Sequence, residues 1–467
     1  MTQKQKYSPK VFEKIIANSL CVGCGLCVYS CPDNALKMDW DDSGFLVPQL
    51  AKACNNDGSC LKACPFNLNP ESELFSEDEI SDIFLSNTSN RNNQIGRFNG
   101  IYAGYSNEFQ STSSSGGLAT YIINELFERN IIDSVVAVRD SDQKGNHFEY
   151  SFLKNKSDLL LTSKTKYYPV TLATALQEID KTNGRIAIVG VGCFIKAIRI
   201  AQYHNPILKE KIVFTIGIIC GGIKSRFYTD YLAGKSGVPK NNFINPEFRI
   251  KDIKSTANDY YFGCINNVDK QNHTIRMLSI GDMWGTGLFK ANACDFCDDV
   301  TTELADISLG DAWLEPYIKD GKGTNVIVTR SELAEDIIVR GINSKELSVE
   351  TLSLDRFLSS QQGSFNHRHN GLATRIKISQ ANNYINPPKR KRETATASFA
   401  FKMVQWQRMK LRKRSIEIWK SNSDSEYFDQ AIKAQLILLK KMTWIYHFID
   451  RTKRITVSKI ISKLFSR

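Results

Sequence analysis

Residues 21–32 read CVGCGLCVYSCP, four cysteines and a proline within twelve positions. Cys21, Cys24, Cys27 and Cys31 follow a C-x2-C-x2-C-x3-C-P run. That spacing places three thiolates on one compact loop, where they reach three irons of a cubane, and directs the fourth to a neighbouring cluster. Gly23 and Gly25 keep side chains clear of such a cluster and leave backbone amides free for its sulfides. Zinc takes its four ligands from two separated pairs, which this run does not offer.

The segment CNNDGSCLKACP (54–65) repeats the pattern with one change. It aligns as Cys54-x2-Asp57-x2-Cys60-x3-Cys64-Pro65, an aspartate standing where the second cysteine belongs. The two segments together resemble a two-cluster ferredoxin domain, which implies reciprocal ligation. One cluster would use Cys21, Cys24, Cys27 and Cys64; the other would use Cys31, Cys54 and Cys60, with Asp57 or with no fourth ligand. A carboxylate is a harder ligand than a thiolate. The second cluster is therefore either 3Fe-4S or a 4Fe-4S with one labile, oxygen-ligated iron. The alternative is that Asp57 caps a turn and one iron is lost. The C-x3-C-x2-C spacing of radical S-adenosylmethionine chemistry fails, because Cys60 and Cys64 are followed by Asn67.

At 467 residues the chain has room for two or three domains. The first twenty residues lack an apolar core of signal-peptide length. No apolar run approaches the ~18 residues that span a bilayer, and the longest, IVFTIGII at 212–219, reads as a buried strand. These features point to the cytoplasm, where the twelve cysteines are metal ligands or buried thiols rather than disulfides. The net charge of +12 is unevenly placed: 20 of the 61 Lys+Arg, but 6 of the 49 Asp+Glu, lie from Lys389 onward. Basicity is thus a property of the tail.

Residues 1–70 form the ferredoxin-type unit, and the polar stretch 71–98 reads as a linker. Strand and helix signals then alternate through 99–350: strands at 100–107, 133–140, 185–190 and 211–220, with helices at 116–129, 171–181, 194–204 and 224–234. Apolar strands with intervening helices predict an α/β domain with a mainly parallel sheet covered on both faces. ADISLGDAW and GTNVIVTR add two strands. Residues 351–388 connect this domain to a helical basic tail, 389–467.

Five cysteines remain. Cys193 and Cys220 each stand just past a strand and before a helix. In a parallel sheet both would face the crevice at the carboxyl ends of the strands, where open α/β folds bind ligands. Cys294 and Cys297 form a C-x2-C pair ahead of the strand ADISLGDAW, which could bring them to the same crevice. Four converging thiolates would make a third 4Fe-4S site, while a C-x2-C pair is equally a zinc signature and single cysteines are often buried small hydrophobes. Cys264 has no partner in this scheme and reads as a buried thiol.

No Walker loop or full GxGxxG is present. STSSSGGLATYI (111–122) brings Ser113, Ser114, Ser115, Gly116 and Gly117 directly into a helix, a place for a pyrophosphate or simply an N-cap. Lys166 and Tyr167 in SKTKYYP, and Arg249 and Lys251 in FRIKD, are candidate contacts for a phosphate or a flavin ring. Clusters pass single electrons, so a two-electron substrate calls for an intermediary such as flavin.

The ordered series of ferredoxin head, SSSGG, TKY, Cys193 after Gly192, Cys220-Gly221-Gly222, FRIK, C-x2-C-x-D, ADISLGDAW and GKGTNVIV resembles the family of coenzyme F-420 hydrogenase/dehydrogenase beta subunits over roughly residues 15–345. The resemblance implies FAD in the middle domain and a 4Fe-4S cluster on Cys193, Cys220, Cys294 and Cys297. The chain departs from the family's Gly-Thr-Pro-Cys-Gln at Gly190-Val191-Gly192-Cys193-Phe194, and from its Cys-His-Gly at Cys220. Relatives with this head occur in bacterial polysaccharide gene clusters, which implies a setting in exopolysaccharide biosynthesis.

In the tail, Trp406, Trp419 and Trp444 accompany the charge, and Val457, Ile460, Ile461, Leu464 and Phe465 fall at helical spacing. That pattern suits a helix on the inner face of the plasma membrane or a bundle packed on the body; nucleic acid lacks a readout motif here. The leading expectation is an iron–sulfur flavoprotein oxidoreductase. Electrons from a ferredoxin-like or reductase donor pass through 4Fe-4S clusters and FAD to a small organic substrate or the deazaflavin F-420. The alternatives are an electron-relay subunit serving a separate catalytic partner and a zinc-stabilised membrane-surface scaffold. No catalytic residue is identifiable; His147 and His204 stand alone.

Overall fold

The computed structural model describes residues 8–143, 145–390 and 397–465, with side chains as far as residue 452. In the head, the repeated cysteine segments fold alike. Helix α1 (Leu26–Tyr29) follows Gly25 at φ 83°, and helix α2 (Ser59–Lys62) follows Gly58 at φ 85°. Both glycines hold the left-handed conformation that a side chain resists. An antiparallel hairpin, Leu36–Trp40 with Leu46–Leu50, completes the unit.

The central domain is built on eight strands: β1 (Ile101–Ser106), β2 (Ser134–Asp140), β3 (Phe148–Leu153), β4 (Ile186–Val191), β5 (Ile212–Ile218), β6 (Ile307–Asp311), β7 (Asn325–Thr329) and β8 (Leu347–Thr351). Their spatial order is β8-β1-β7-β6-β5-β4-β2-β3. Strands β6, β5, β4 and β2 are mutually parallel. β7 runs antiparallel to both β6 and β1, so β1 shares the direction of the parallel set. Antiparallel β3 and β8 close the two edges. Helix α3 (Leu118–Glu128) leaves β1, and helix α4 (Gly192–His204) leaves β4.

Alternation along the strands builds two cores. Ile186 and Ile188 pack with α4 and with Val22, Leu26 and Val28 of the head, while Ala187 faces α3 on the other side of the sheet. The head is therefore packed on the sheet through shared apolar core. Gly25 sits at that junction, where a Cβ would lie 2.3 Å from Thr171 Oγ1 and 2.7 Å from the Ala173 amide.

Three regions differ from the sequence expectation. The stretch 71–98 is structured: it holds the helix Glu77–Phe84, closed by a capping box between Ser76 and Glu79, and the hairpin Asn90–Asn92 with Gly96–Phe98. Its polarity is used inward, since Glu77 is buried and pairs with Lys196 of α4 at 3.2 Å. An additional three-stranded antiparallel sheet spans Phe243–Lys251, Tyr260–Asn266 and Asn272–Arg276. Its first strand carries two register shifts and left-handed residues at Asn245 and Arg249, which hide the period-2 pattern. The 351–388 segment is helical, with helices Leu354–Ser360 and Leu372–Ala381 around a π-turn at Asn366–Asn370.

The tail forms two helices, α5 (Phe399–Ser421) and α6 (Ser425–Phe465), which pack on the body. Trp419, Phe428 and Ile432 share a core with Tyr231 and Phe289. Many of its cations also turn inward: Arg390 pairs with Asp298 at 3.2 Å and Glu303 at 2.7 Å, and Arg412 with Asp295 at 2.8 Å. Trp406 is half-buried, whereas Trp444 is 66% exposed. The apolar face at Val457, Ile460, Ile461, Leu464 and Phe465 lies outside the residues whose side chains are described. Among the described residues, no helix is long and apolar enough to cross a membrane.

Candidate functional site

All twelve cysteines are free thiols. Burial holds Cys27 and Cys64 well above the usual thiol range, and each also feels Cys21, Cys24 and Cys60, with Cys64 felt at Cys27 as well. Cys21, Cys24, Cys27 and Cys64 thus share one neighbourhood, which Cys60 adjoins. Cys60 is raised by burial and further by Cys54, Asp57 and Cys31, which gives the second neighbourhood. Cys64 thus lies near cysteines of the first segment, and Cys31 near those of the second. Asp57 itself is exposed, and its carboxylate accepts from the Ser59 amide at 3.3 Å and from the Ser59 hydroxyl.

At the carboxyl edge of the sheet, Cys193, Cys220, Cys294 and Cys297 line one cavity. The parallel strands bring the first two there: Cys193 opens α4 after β4, and Cys220 follows β5. Val22 and Phe66 from the head complete part of its wall, and Arg368 another. Burial raises the Cys193 thiol, with Cys297, Cys294, Cys220 and also Cys24 adding to the effect. Backbone amides of Gly222 and Ile223 donate to the sulfurs of Cys220 and Cys294, each at 3.2 Å. Among the described residues, no group of three or more His, Cys, Asp and Glu is drawn together as a single-ion site; these four thiols surround a shared space instead. Cys264 is buried elsewhere, 3.6 Å from the Ser236 hydroxyl.

The Ser-Gly loop lies on the same edge, between β1 and α3. Gly117 caps α3 at φ 79°, where a Cβ would stand 2.5 Å from the Phe109 carbonyl carbon. Two other segments converge on it. Lys251 Nζ donates to the carbonyls of Gln110 and Ser115, at 2.6 and 2.7 Å, and the Thr165 amide donates to Ser114 Oγ at 2.9 Å. Ser113 Oγ and Arg249 Nε are buried without a hydrogen-bond partner among the described residues. Burial pushes Lys251 down to about 8, with Lys164 and Arg249 adding to the shift. Burial raises the Tyr167 phenol far above its ordinary range, and Arg249 partly offsets this. Arg249 is also ion-paired with Asp311 at the end of β6. Lys166 points elsewhere, to Asp140 at 3.7 Å and the face of Phe148 at 5.4 Å.

Three residues at this edge escaped the sequence reading. Trp284 meets Tyr167 edge-on at 4.7 Å and abuts Gly221 beside Cys220, so it joins the cysteine cavity to the Ser-Gly loop. Lys224 is buried over Trp284 at 4.6 Å and donates to the carbonyls of Met283 and Leu288. Arg368 reaches the cavity from the π-turn, outside any recognisable motif. His147 stacks on Phe243 at 4.8 Å, and burial pushes it down to about 4.

Three family profiles match the chain. Two describe the coenzyme F420 hydrogenase/dehydrogenase beta subunit, its N-terminal part over residues 101–177 and its C-terminal part over 183–354. The third, a 4Fe-4S dicluster domain, covers 20–68. The chain belongs to the family of coenzyme F420 hydrogenase/dehydrogenase beta subunits. It is an iron–sulfur protein of an oxidoreductase family, with a dicluster head ahead of the family domain. Among curated proteins it is 24% identical over 344 residues to a component of the F(420)H(2) dehydrogenase of Methanosarcina mazei, covering 70% of this chain and 88% of that protein. It is 23% identical over 366 residues to a coenzyme F420-dependent sulfite reductase of Methanocaldococcus jannaschii, covering 74% of this chain but only 50% of that protein. A chain of the F420-reducing [NiFe] hydrogenase complex from Methanosarcina barkeri aligns with a TM-score of 0.49 at 15% identity, over 64% of this chain and 99% of that one.

Proposed function

We propose that this member of the family is an electron-transferring flavoprotein. On this reading a donor protein reduces the head, and electrons cross to a third 4Fe-4S cluster and then to FAD, which serves a small organic substrate or a deazaflavin. The observation that carries the reading is the cavity lined by Cys193, Cys220, Cys294 and Cys297 together with Val22 and Phe66 of the head. Support comes from the head residues in that wall and from Cys24, which is felt at Cys193.

The residues fit these groups. Cys193, Cys220, Cys294 and Cys297 would hold the cluster, their charge eased by the Gly222 and Ile223 amides. Ser113 Oγ, in the loop that opens α3, and Arg249 Nε, whose guanidinium pairs with Asp311, are buried donors without a partner among the described residues and would serve a bound anion. Lys251 holds the Ser-Gly loop in its bent form. A bound flavin supplies the exchange between one-electron and two-electron chemistry. Tyr167 and Trp284, in edge-on contact at 4.7 Å, stand between the two sites.

The test is anaerobic purification with iron, acid-labile sulfide and flavin quantified together. About eleven or twelve irons with one flavin per chain is the expected result. Iron without flavin would leave an electron relay serving a separate catalytic partner, and colourless protein would leave neither.

One further observation favours contact with an anionic lipid surface. On α6, Trp444 and Phe448 stack at 5.5 Å while 66% and 56% exposed, flanked by Lys440, Lys441 and Arg451. Co-sedimentation with phosphatidylserine vesicles, lost in Trp444→Ala/Phe448→Ala, is expected; equal binding to neutral vesicles would count against it.

A further inference from the structure

Arg368 lies beyond residue 354, where the family profile ends, yet it forms part of the cysteine cavity. Its side chain is buried, at 6% exposure. One terminal nitrogen approaches Cys297 Sγ at 3.7 Å and donates to the Asp299 carbonyl, while the other donates to the Cys220 carbonyl. The guanidinium thus spans two of the three segments that carry these cysteines. Neighbouring cations are otherwise committed: Lys389 and Arg390 to Asp298, and Lys290 to Asp295. Among the described residues, Arg368 is the charged side chain that donates to a sulfur of this group.

We propose that Arg368 sets the reduction potential of the third cluster. The inference rests on the reading that these four cysteines hold a 4Fe-4S cluster. Four thiolates on such a core leave a net negative charge, which grows by one unit when a single electron arrives, with no bond made or broken at the thiolates. A fixed cation within a few ångströms, shielded from water, stabilises the added charge. Arginine suits the position because it stays protonated when buried and donates to several acceptors in a fixed fork. Arg368 would thereby raise the third cluster's potential and bias electrons from the head toward the flavin side. The post-family segment then tunes the family's own cluster.

The full chain with Arg368→Gln and with Arg368→Lys, loaded anaerobically, tests this by potentiometric titration followed by EPR. Arg368→Gln should keep the wild-type iron and sulfide content. Its third-cluster signal should require a potential at least 59 mV lower, a tenfold loss in the reduced-to-oxidised ratio for one electron. The head signals should not move. Arg368→Lys, which keeps the charge, should show less than half that shift. An unshifted Arg368→Gln, equal shifts in both variants, or loss of third-cluster iron in both overturns the inference, the last assigning Arg368 to holding the loops. Cys220→Ala separates the underlying reading: it should lose the third-cluster signal and its iron. If it retains both, the cluster assignment itself fails, whatever Arg368 does.

Discussion

Asp57 shows how one residue changes what a repeat can bind. Its backbone position matches that of Cys24, since α1 and α2 are entered through equivalent glycines. Its carboxylate is spent on the Ser59 amide and hydroxyl, so the second group presents three thiols. Asp57→Cys should therefore add one iron per chain and replace a 3Fe signal with a 4Fe signal in EPR; an unchanged spectrum would sink the alignment. Lys251 makes a second prediction at this scale. Because burial brings it down to about 8, it is charged below that pH and neutral above it. Where its charge supports the anionic cofactor proposed above, binding above pH 8 takes up a proton. FAD affinity, measured by fluorescence quenching, should be flat below pH 8 and fall by up to tenfold per pH unit above it. Lys251→Met should bind at least tenfold more weakly at pH 7 and lose that pH dependence. The cysteine groups were legible because the head carries them at a local spacing and Cys193 and Cys220 each follow an apolar strand. Arg368 and Trp284 were not, because each reaches the edge alone, from an element that no motif marks.

Among the elements, legibility followed regularity of burial. β4 and β5 read as apolar runs because both of their faces are covered, and the helices between them showed their stripes. The strand Phe243–Lys251 did not, since its two register shifts break the alternation that a reader counts. The helix Glu77–Phe84 was hidden by polar composition, although Ser76 and Glu79 already spelled its capping box. The joint between head and sheet yields a prediction of its own. Gly25 combines φ 83° with atoms at 2.3 and 2.7 Å from any added Cβ, whereas Gly281 has φ 95° and nothing within 4 Å. Gly281→Ala should cost only the conformational strain of its φ 95°, ψ −170° backbone, about 1–3 kcal/mol. Gly25→Ala adds a steric clash with Thr171 and Ala173, for a total of roughly 3–5 kcal/mol. Thermal unfolding of the two variants measures the difference, and equal losses would mean that the head does not depend on this close approach.

At the scale of the molecule, the tail is an inward countercharge as much as a surface. The sequence showed where its basic residues are but not what faces them, because the acidic partners of the inward-facing ones come from two distant segments. Arg390 meets Glu77 from the segment before the sheet, and Asp298 and Glu303 from the stretch leading to β6. All four side chains are at most 6% exposed, so these charges are held with little water. Removing one partner from such a set leaves buried charge uncompensated, at a cost of about 3–5 kcal/mol. Arg390→Met should therefore lower the unfolding temperature markedly at pH 7.5, and its sign with pH is fixed. In the wild type, burial disfavours the Glu77 carboxylate, but Lys196 and Arg390 outweigh it and hold its pKa below the usual value. That contribution to stability is present above the unfolded carboxyl pKa and is lost as pH falls toward acid. Without Arg390 the desolvation of these carboxylates is less opposed, and their folded pKa values rise. They then take up protons more readily in the folded state, which relieves the penalty as pH falls. The gap in unfolding temperature between wild type and Arg390→Met should accordingly be widest near pH 7.5 and narrow by pH 5.5. A gap that stays constant across that range would show that Arg390 contributes packing rather than charge.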